Sequence, residues 1–212
     1  DWRAGLDVNI GNFWNNKKVL ITGHTGFKGM WLTLVLKSFN ASVTGISNKS
    51  VGSDIYRVLE TDKYFNSEHF FDVSSDISNE NKNIFSENEF DVIFHFAAQA
   101  VVSKAAIDPL TTLKTNVIGT FQVIDLSIKN KASNCIVVAT TDKVYKNSSD
   151  LNNEESQLGG AEFYSSSKVA AENVIESFKN SPENKSTSIS TVRSGNVLGP
   201  GDGASDRLMT DL

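Results

Sequence analysis

From residue 18 onward, short apolar runs alternate with longer amphipathic stretches. Lys18-Val19-Leu20-Ile21-Thr22 has strand length and runs into a glycine-rich turn, and the stretch from about Phe27 to Phe39 has helical length. Ser42–Ile46 predicts a second strand and Phe70–Val73 a third. Val92–Phe96 predicts a fourth, Ile136–Thr140 a fifth and Ser188–Arg193 a sixth. A nearly unbroken apolar run such as 92–96 suits a strand covered on both faces, as in a parallel sheet. Leu110–Lys129 and Tyr164–Phe178 predict helices. Strands alternating with helices make βαβ units, and their order predicts an α/β fold with a Rossmann-like doubly wound parallel sheet. The polar segments 79–89, 146–156 and 181–188 predict surface connections, the first with room for a short helix. Residues 1–16, with Trp2, Phe13 and Trp14, have no place in the sheet and predict an N-terminal extension on its surface.

The chain has 212 residues, enough for a domain with a substantial core. A net charge of −5 excludes a generic nucleic-acid binder, which needs a basic face. No apolar run approaches the roughly 20 residues that cross a bilayer. No secretory signal pattern is visible in this chain, which starts at Asp1. Neither nucleic acid nor membrane is an expected partner. The single Cys135 cannot form an internal disulfide. Its apolar surroundings predict a buried, inert thiol and fit a reducing, cytoplasmic setting. His24 and His95 lack metal-ligand spacing with any partner, so no metal site is expected.

The candidate chemistry begins at Thr22-Gly23-His24-Thr25-Gly26-Phe27-Lys28-Gly29. Gly23 permits a tight turn, Gly26 lets the backbone approach a pyrophosphate, and Gly29 lets the helix pack closely on the sheet. The helix N-terminus then offers N–H groups to the anion. The motif stands between a strand and a helix at the first crossover, where a dinucleotide needs it. His24 can approach the phosphates through its side chain, and Thr25, Phe27 and Lys28 complete the cradle. Residues 17–195 therefore read as a dinucleotide-binding domain. The second strand ends at Ser47-Asn48-Lys49, without the acid that usually holds an adenosine ribose. Ser47 or Asn48 can bond a ribose. Lys49 can meet a 2′-phosphate or stand as a solvated loop charge, so spacing alone leaves NAD and NADP both open. Asp76, followed by Ile77, can accept from an adenine amine or cap a helix. Ala97-Ala98-Gln99 leaves the fourth strand with small residues, over which a flat cofactor can pass or against which a helix can pack.

Tyr164 and Lys168 stand four residues apart on a predicted helix and share one face. A nearby ammonium favours tyrosinate, which makes the phenol a usable base near neutral pH. Thr141, Asp142 and Lys143 follow the fifth strand, at the sheet end where open α/β folds bind ligands. Thr141 can bond a reacting hydroxyl. Asp142 and Lys143 add an acid/base pair, or form a local salt bridge at a polar strand exit. Asn116 lies mid-helix, where Asn is unfavourable without a tertiary reason. Asn196, in the turn-rich run after the sixth strand, can meet a substrate phosphate.

The cradle, Ala97-Ala98-Gln99, Asn116 and the Tyr164/Lys168 pair resemble the extended short-chain dehydrogenases. Within them, four strings resemble the CDP-glucose 4,6-dehydratases. These are Gly23-His24-Thr25-Gly26-Phe27-Lys28-Gly29 with Trp31-Leu32, Thr141-Asp142-Lys143, Gly159-Gly160 ahead of Tyr164, and Arg193-Ser194-Gly195-Asn196-Val197 with Gly201-Asp202 and Asp206-Arg207. The relatives that act on dTDP-glucose usually carry Thr-Asp-Glu at the second string. Departures are Ala100 for Pro, Ser103-Lys104 where an Arg is usual, and Lys146-Asn147 for Asp-Asn. The resemblance implies an NAD-dependent hydro-lyase that turns CDP-glucose into CDP-4-keto-6-deoxyglucose. Tyr164, with Lys168 and Thr141, would take the proton of the 4-hydroxyl during its oxidation. Lys143 would remove the acidified C5 hydrogen, and Asp142 would protonate the departing 6-hydroxyl. It also implies substrate contacts at Asn196 and Arg207, a homodimer or larger homo-oligomer pairing the Asn116 and Tyr164 helices, and a role in polysaccharide biosynthesis. The family continues past Leu212 into a smaller substrate domain, so the chain reads as a fragment in which 196–212 begin that region. The competing readings are another sugar-nucleotide epimerase or reductase of this fold, and a truncated, non-catalytic cofactor-binding module.

Overall fold

A computed structural model describes residues 8–48, 53–59, 63–146 and 151–203. Its strands are β1 Lys18–Thr22, β2 Ser42–Ser47, β3 Ser67–Phe70, β4 Val92–His95, β5 Cys135–Thr141 and β6 Ser188–Ser194. Its helices are α1 Val8–Trp14, α2 Phe27–Ser38, α3 Asp54–Val58, α4 Asn79–Ser86, α5 Val102–Ile107, α6 Pro109–Leu113, α7 Gly119–Lys129 and α8 Phe163–Lys179. The strands form one sheet in the order β3-β2-β1-β4-β5-β6, and every pairing is parallel. This is the doubly wound order, with its switch point between β1 and β4.

Alternation along the strands builds two cores. Leu20 faces one way and joins Ile93, Ile136 and Val138 beneath Phe85, Val123, Ile124 and Ile175 of α4, α7 and α8. Val19 and Ile21 face the other way and meet Leu36 of α2 and Val43. Trp14 of α1 packs on this side, its ring 6.1 Å from that of Phe94. Farther along the same face an apolar cavity of about 510 Å³ opens between α2 and the strands, walled by Trp31, Phe94, Val137, Val192 and Leu198 among others.

Three expectations need correction. The third strand is Ser67–Phe70, ahead of the apolar run at 70–73. Among the described residues it pairs only with β2, and an edge strand needs no apolar run. Asp72 turns the chain by accepting the N–H and hydroxyl of Ser74 at 2.8 and 2.7 Å, which sends Val73 into the core. The helix expected over 110–129 is interrupted by a π-turn at Lys114–Ile118. An additional short helix, α5, precedes it. It is divided from α6 by Asp108, whose carboxylate accepts the Thr111 N–H at 3.0 Å, and by Pro109 at the first position of α6. Cys135, expected to be buried, is half-buried at the start of β5.

Candidate active site

Gly23 follows β1 in the left-handed region, with φ of 75°. A Cβ there would lie 2.6 Å from the Ala97 N. Glycine is thus needed both for the turn and for the approach of β1 to β4. Gly26 begins α2 as an N-cap with no side-chain acceptor. A 12-residue helix therefore starts at the cradle without a side-chain cap, and Lys28 in its first turn donates to the Ser194 hydroxyl of β6 at 2.8 Å. Gly29 sits against the carbonyl of Gly23, and a Cβ on it would overlap that oxygen and approach the His24 Cα to 2.8 Å. This turn has the close backbone contacts and open helix start that a pyrophosphate requires. The substitution Gly29→Ala is expected to destabilise the chain by about 2 kcal/mol, as forced overpacking does. It should also weaken NAD binding, because relief must come from moving the turn. Thermal unfolding and NAD titration on the same sample check both effects.

The His24 imidazole does not reach the cradle. It is fully buried, its Nε2–H donates to Glu68 of β3 at 2.9 Å, and it packs on the rings of Tyr56, Phe65 and Phe70. Burial holds its pKa below the ordinary histidine value. Only its backbone remains in the turn. The Tyr56 hydroxyl donates to the same Glu68 oxygen at 2.9 Å, which ties α3 to β3. The Thr25 and Ser47 hydroxyls bond each other at 2.7 Å, and the Thr25 carbonyl accepts from Ser53. Asn48 is exposed, and Lys49 lies outside the described residues. Asp76 is exposed while Ile77 is buried. The cap of α4 is Ser78, not Asp76. The Gln122 amide of α7 holds the 73–77 turn through the carbonyls of Val73 and Ser75, at 3.0 and 3.2 Å.

Tyr164 and Lys168 occupy the first two turns of α8, and both are buried. Glu162 caps this helix, accepting the N–H groups of Tyr164 and Ser165 at 2.6 Å each. The Lys168 ammonium donates to the Ala139 carbonyl of β5 at 3.1 Å. Burial, and then the Lys28 ammonium, lower its pKa to about 8, with Glu172 opposing. The folded chain therefore releases this proton near pH 8 while the unfolded chain holds it to 10.5. Stability rises with pH between those values, and the charged lysine costs stability below them. Replacing Lys168 by Met removes a cost of up to about 3 kcal/mol, less about 1 kcal/mol for the Ala139 carbonyl left behind. Without cofactor, Lys168→Met is expected to be more stable at pH 7 by about 2 kcal/mol. It should also lack the wild-type rise across pH 8–10.5. Denaturation at several pH values checks this.

Asn116 sits in the π-turn, fully buried. Its side chain accepts the Gln99 N–H at 2.8 Å and donates to the Gln99 carbonyl at 3.0 Å and to Ser167 at 2.8 Å. Here is the tertiary reason for an Asn in mid-helix: it fastens the end of β4, with Ala97 and Ala98, to α8. Thr141 closes β5 and is buried, and its hydroxyl donates to Asp142 at 3.2 Å. Asp142 and Lys143 are 3.9 Å apart and about half exposed, an ion pair that contributes little to stability. The exposed Asn196 follows β6, and Arg207 lies outside the described residues. Among the described residues no group of His, Cys, Asp and Glu could hold a metal.

Behind the site lies a pair that the motif reading missed. Arg193 of β6 grips Glu172 of α8 at 2.6 and 3.0 Å, and Glu172 also accepts the Thr140 hydroxyl at 2.7 Å. The same guanidinium donates to the Glu154 carbonyl at 3.1 Å and lies 5.0 Å from the Tyr145 ring centroid. One cation thus joins β6, α8, the exit of β5 and the 151–159 connection. The available signal was spacing: Glu172 lies one helical turn past Lys168, on the buried face.

A doubly wound sheet with a glycine cradle at its switch point, and a tyrosine–lysine pair one turn apart beside it, defines a dinucleotide-binding protein of the short-chain dehydrogenase/reductase class. The chain belongs to the NAD dependent epimerase/dehydratase family, whose model matches residues 19–212. It is 34% identical over 210 residues to the CDP-glucose 4,6-dehydratase of Salmonella typhimurium, covering 95% of this chain and 58% of that protein. It is 27% identical to the UDP-N-acetylglucosamine 4,6-dehydratase (inverting) of Campylobacter jejuni, covering 87% of this chain and 50% of the relative. Among solved structures it is similar to TunA, an NAD-dependent NDP-hexosamine 5,6-dehydratase, with a TM-score of 0.79 and 24% identity over 93% of this chain and 60% of the other. That likeness concerns the fold. The chain spans about half to three-fifths of the length of these relatives.

Proposed function

We propose that this chain is the NAD-binding part of a sugar-nucleotide 4,6-dehydratase whose substrate is CDP-glucose. The observation that carries the reading is the convergence of three groups at one end of the sheet. The cradle closes β1, the Thr141-Asp142-Lys143 turn closes β5, and the first turns of α8 bear Tyr164 and Lys168. The identity to the Salmonella enzyme favours CDP-glucose over other sugar nucleotides. The backbone of Gly23–Gly29, with Lys28, would hold the pyrophosphate, and Ala97, Ala98 and Gln99 would border the rest of the dinucleotide. Bound NAD supplies a reversible hydride acceptor. Tyr164, held as a tyrosinate by the buried Lys168 ammonium, accepts the proton of the sugar 4-hydroxyl and becomes the neutral phenol. Oxidation at C4 acidifies the C5 hydrogen. With the pair in its neutral form, Lys143 as the free amine removes it, and Asp142 as the carboxylic acid gives its proton to the departing 6-hydroxyl, which leaves as water. Both are surface-accessible, as groups that meet a substrate from a second domain must be. Asn196 and Arg207 begin the region that contacts the nucleotide.

The reading includes a homodimer. Ile107, Leu110, Ile118 and Phe121 expose 84%, 62%, 47% and 45% of their surface along α5 to α7, and Phe163 opens α8 at 50%. Such an apolar stripe marks an interaction surface. Among the described residues no helix is long and apolar enough to cross a membrane. A cytoplasmic setting belongs to the same proposal and accords with a single unpaired cysteine.

The test is mass spectrometry of CDP-glucose incubated with the complete protein and NAD. Loss of one water, about 18 Da, with no net reduction of cofactor is the expected result. An unchanged mass with NAD bound would exclude CDP-glucose. A stereoisomer of equal mass would instead identify an epimerase.

A further inference from the structure

A hydrogen-bonded seam runs beneath the site and takes no part in the chemistry above. Its centre is His95, the last residue of β4, which is 2% exposed. Its Nδ1 lies 2.7 Å from the Thr22 Oγ1, and its Nε2 lies 3.0 Å from the Thr120 Oγ1. The partners determine where the protons are. The Thr120 hydroxyl donates its single proton to the Asn116 carbonyl at 2.7 Å. Its oxygen must then accept from His95, so Nε2 carries the hydrogen. Burial, reinforced by the nearby Lys168 charge, lowers the His95 pKa to about 3 and keeps the ring neutral. Nδ1 is therefore an acceptor and takes the Thr22 proton. The Thr22 oxygen in turn accepts the Ala97 N–H at 3.3 Å.

The two sides of the ring end in different machinery. On the Nδ1 side, Thr22 immediately precedes Gly23, and Ala97 is the residue whose N a Gly23 Cβ would strike. This arm holds the cradle closed on the end of β4. On the Nε2 side, Asn116 donates to Ser167 at 2.8 Å, and Ser167 donates to the Tyr164 carbonyl at 2.6 Å. This arm holds the π-turn against the start of α8.

We propose that His95, as its Nε2–H tautomer, is a positioning residue with two separable arms. Nδ1 sets the cradle for dinucleotide binding, and Nε2–H sets the helix that carries Tyr164. The second arm rests on the catalytic role proposed for Tyr164; the first does not.

Two substitutions separate the arms. In His95→Asn the amide oxygen can replace Nδ1 as acceptor from Thr22, while the donor to Thr120 is lost. In His95→Gln the longer amide can replace the Nε2–H donor, while the Thr22 acceptor is lost. An unpaired buried polar group is worth about ten-fold in an equilibrium. His95→Asn is expected to bind NAD within about three-fold of wild type and to lose at least about ten-fold in kcat at saturating NAD. His95→Gln is expected to show the reverse pattern. NAD affinity by calorimetry and turnover by the complete protein supply the two readouts. Equal losses in both readouts for both variants, or no loss in either, would overturn the proposal. Nitrogen-15 spectroscopy of the wild-type ring is independent of whether the variants fold. A protonated Nε2 and an unprotonated Nδ1 from pH 5 to 8 are expected, and a protonated Nδ1 would overturn the assignment. If the wild-type protein turned over no CDP-glucose, the functional reading would fall, while the affinity and tautomer measurements would still decide the first arm.

Discussion

Tyr164→Phe is expected to lower kcat by about 10²–10⁴-fold, the effect of losing a positioned general base, while leaving the fold and NAD binding near wild type. The substitution deletes one oxygen and nothing else. The start of α8 is held through the backbone, by Glu162 on the Tyr164 N–H and by Ser167 on its carbonyl, and neither bond involves the phenol. The buried Lys168 ammonium keeps its Ala139 carbonyl partner. Turnover and NAD titration on one preparation separate the effects. Activity within ten-fold of wild type would remove Tyr164 from the role of base. Lost NAD binding would show that the hydroxyl serves mainly to hold the cofactor.

The largest stability effect is expected at Arg193. Arg193→Ala should destabilise the chain by about 3–5 kcal/mol, the usual consequence of stranding one half of a buried ion pair. Glu172, its side chain 6% exposed, would keep the Thr140 hydroxyl and the weaker pull of the Lys168 charge, and the Glu154 carbonyl would lose its Arg193 donor. The penalty lies in the uncompensated carboxylate rather than in the bond itself. A paired replacement, Arg193→Met with Glu172→Leu, should therefore recover most of the loss. Chemical denaturation of both variants checks this. A loss under about 1 kcal/mol for Arg193→Ala would mean that solvent screens the pair.

The sheet was legible because its signal is local. Five of the six strands fall where strand-length segments of apolar and β-branched residues stand in the sequence; β1 is buried on both faces, and β5 is buried on one face and lines the cavity with the other. Of the two edge strands, β3 escaped because it carries Ser67, Glu68 and His69 in succession, whereas β6 keeps Ile189 and Val192. The cradle was legible for a similar reason: a strand, three glycines and a helix within about a dozen residues state their own geometry. Tyr164 and Lys168 are one turn apart, so a shared face follows from the helical period alone.

His24 shows where that reasoning stops. Its neighbours in sequence belong to the cradle, but its partners are Tyr56 of α3, Glu68 of β3 and Phe65 just ahead of β3. An imidazole beside a glycine turn can point either way, and only the packed sheet chooses. His95 and Glu172 repeat the point. As letters they are a histidine ending an apolar run and an acid in an amphipathic helix. Their partners stand up to 73 and 32 residues away in sequence.

What the sequence determined by itself was therefore the periodic and the contiguous: strands, helices, the phosphate turn and the tyrosine–lysine step. The tertiary structure decided the position of the edge strand β3, the π-turn that brings Asn116 to Gln99 and Ser167, the burial of His24, the tautomer of His95 and the grip of Arg193 on Glu172. The physical reason is the same throughout. Backbone period and turn chemistry act over a few residues, whereas the partner of a buried polar group is selected by whichever distant strand or helix the fold places within hydrogen-bond reach.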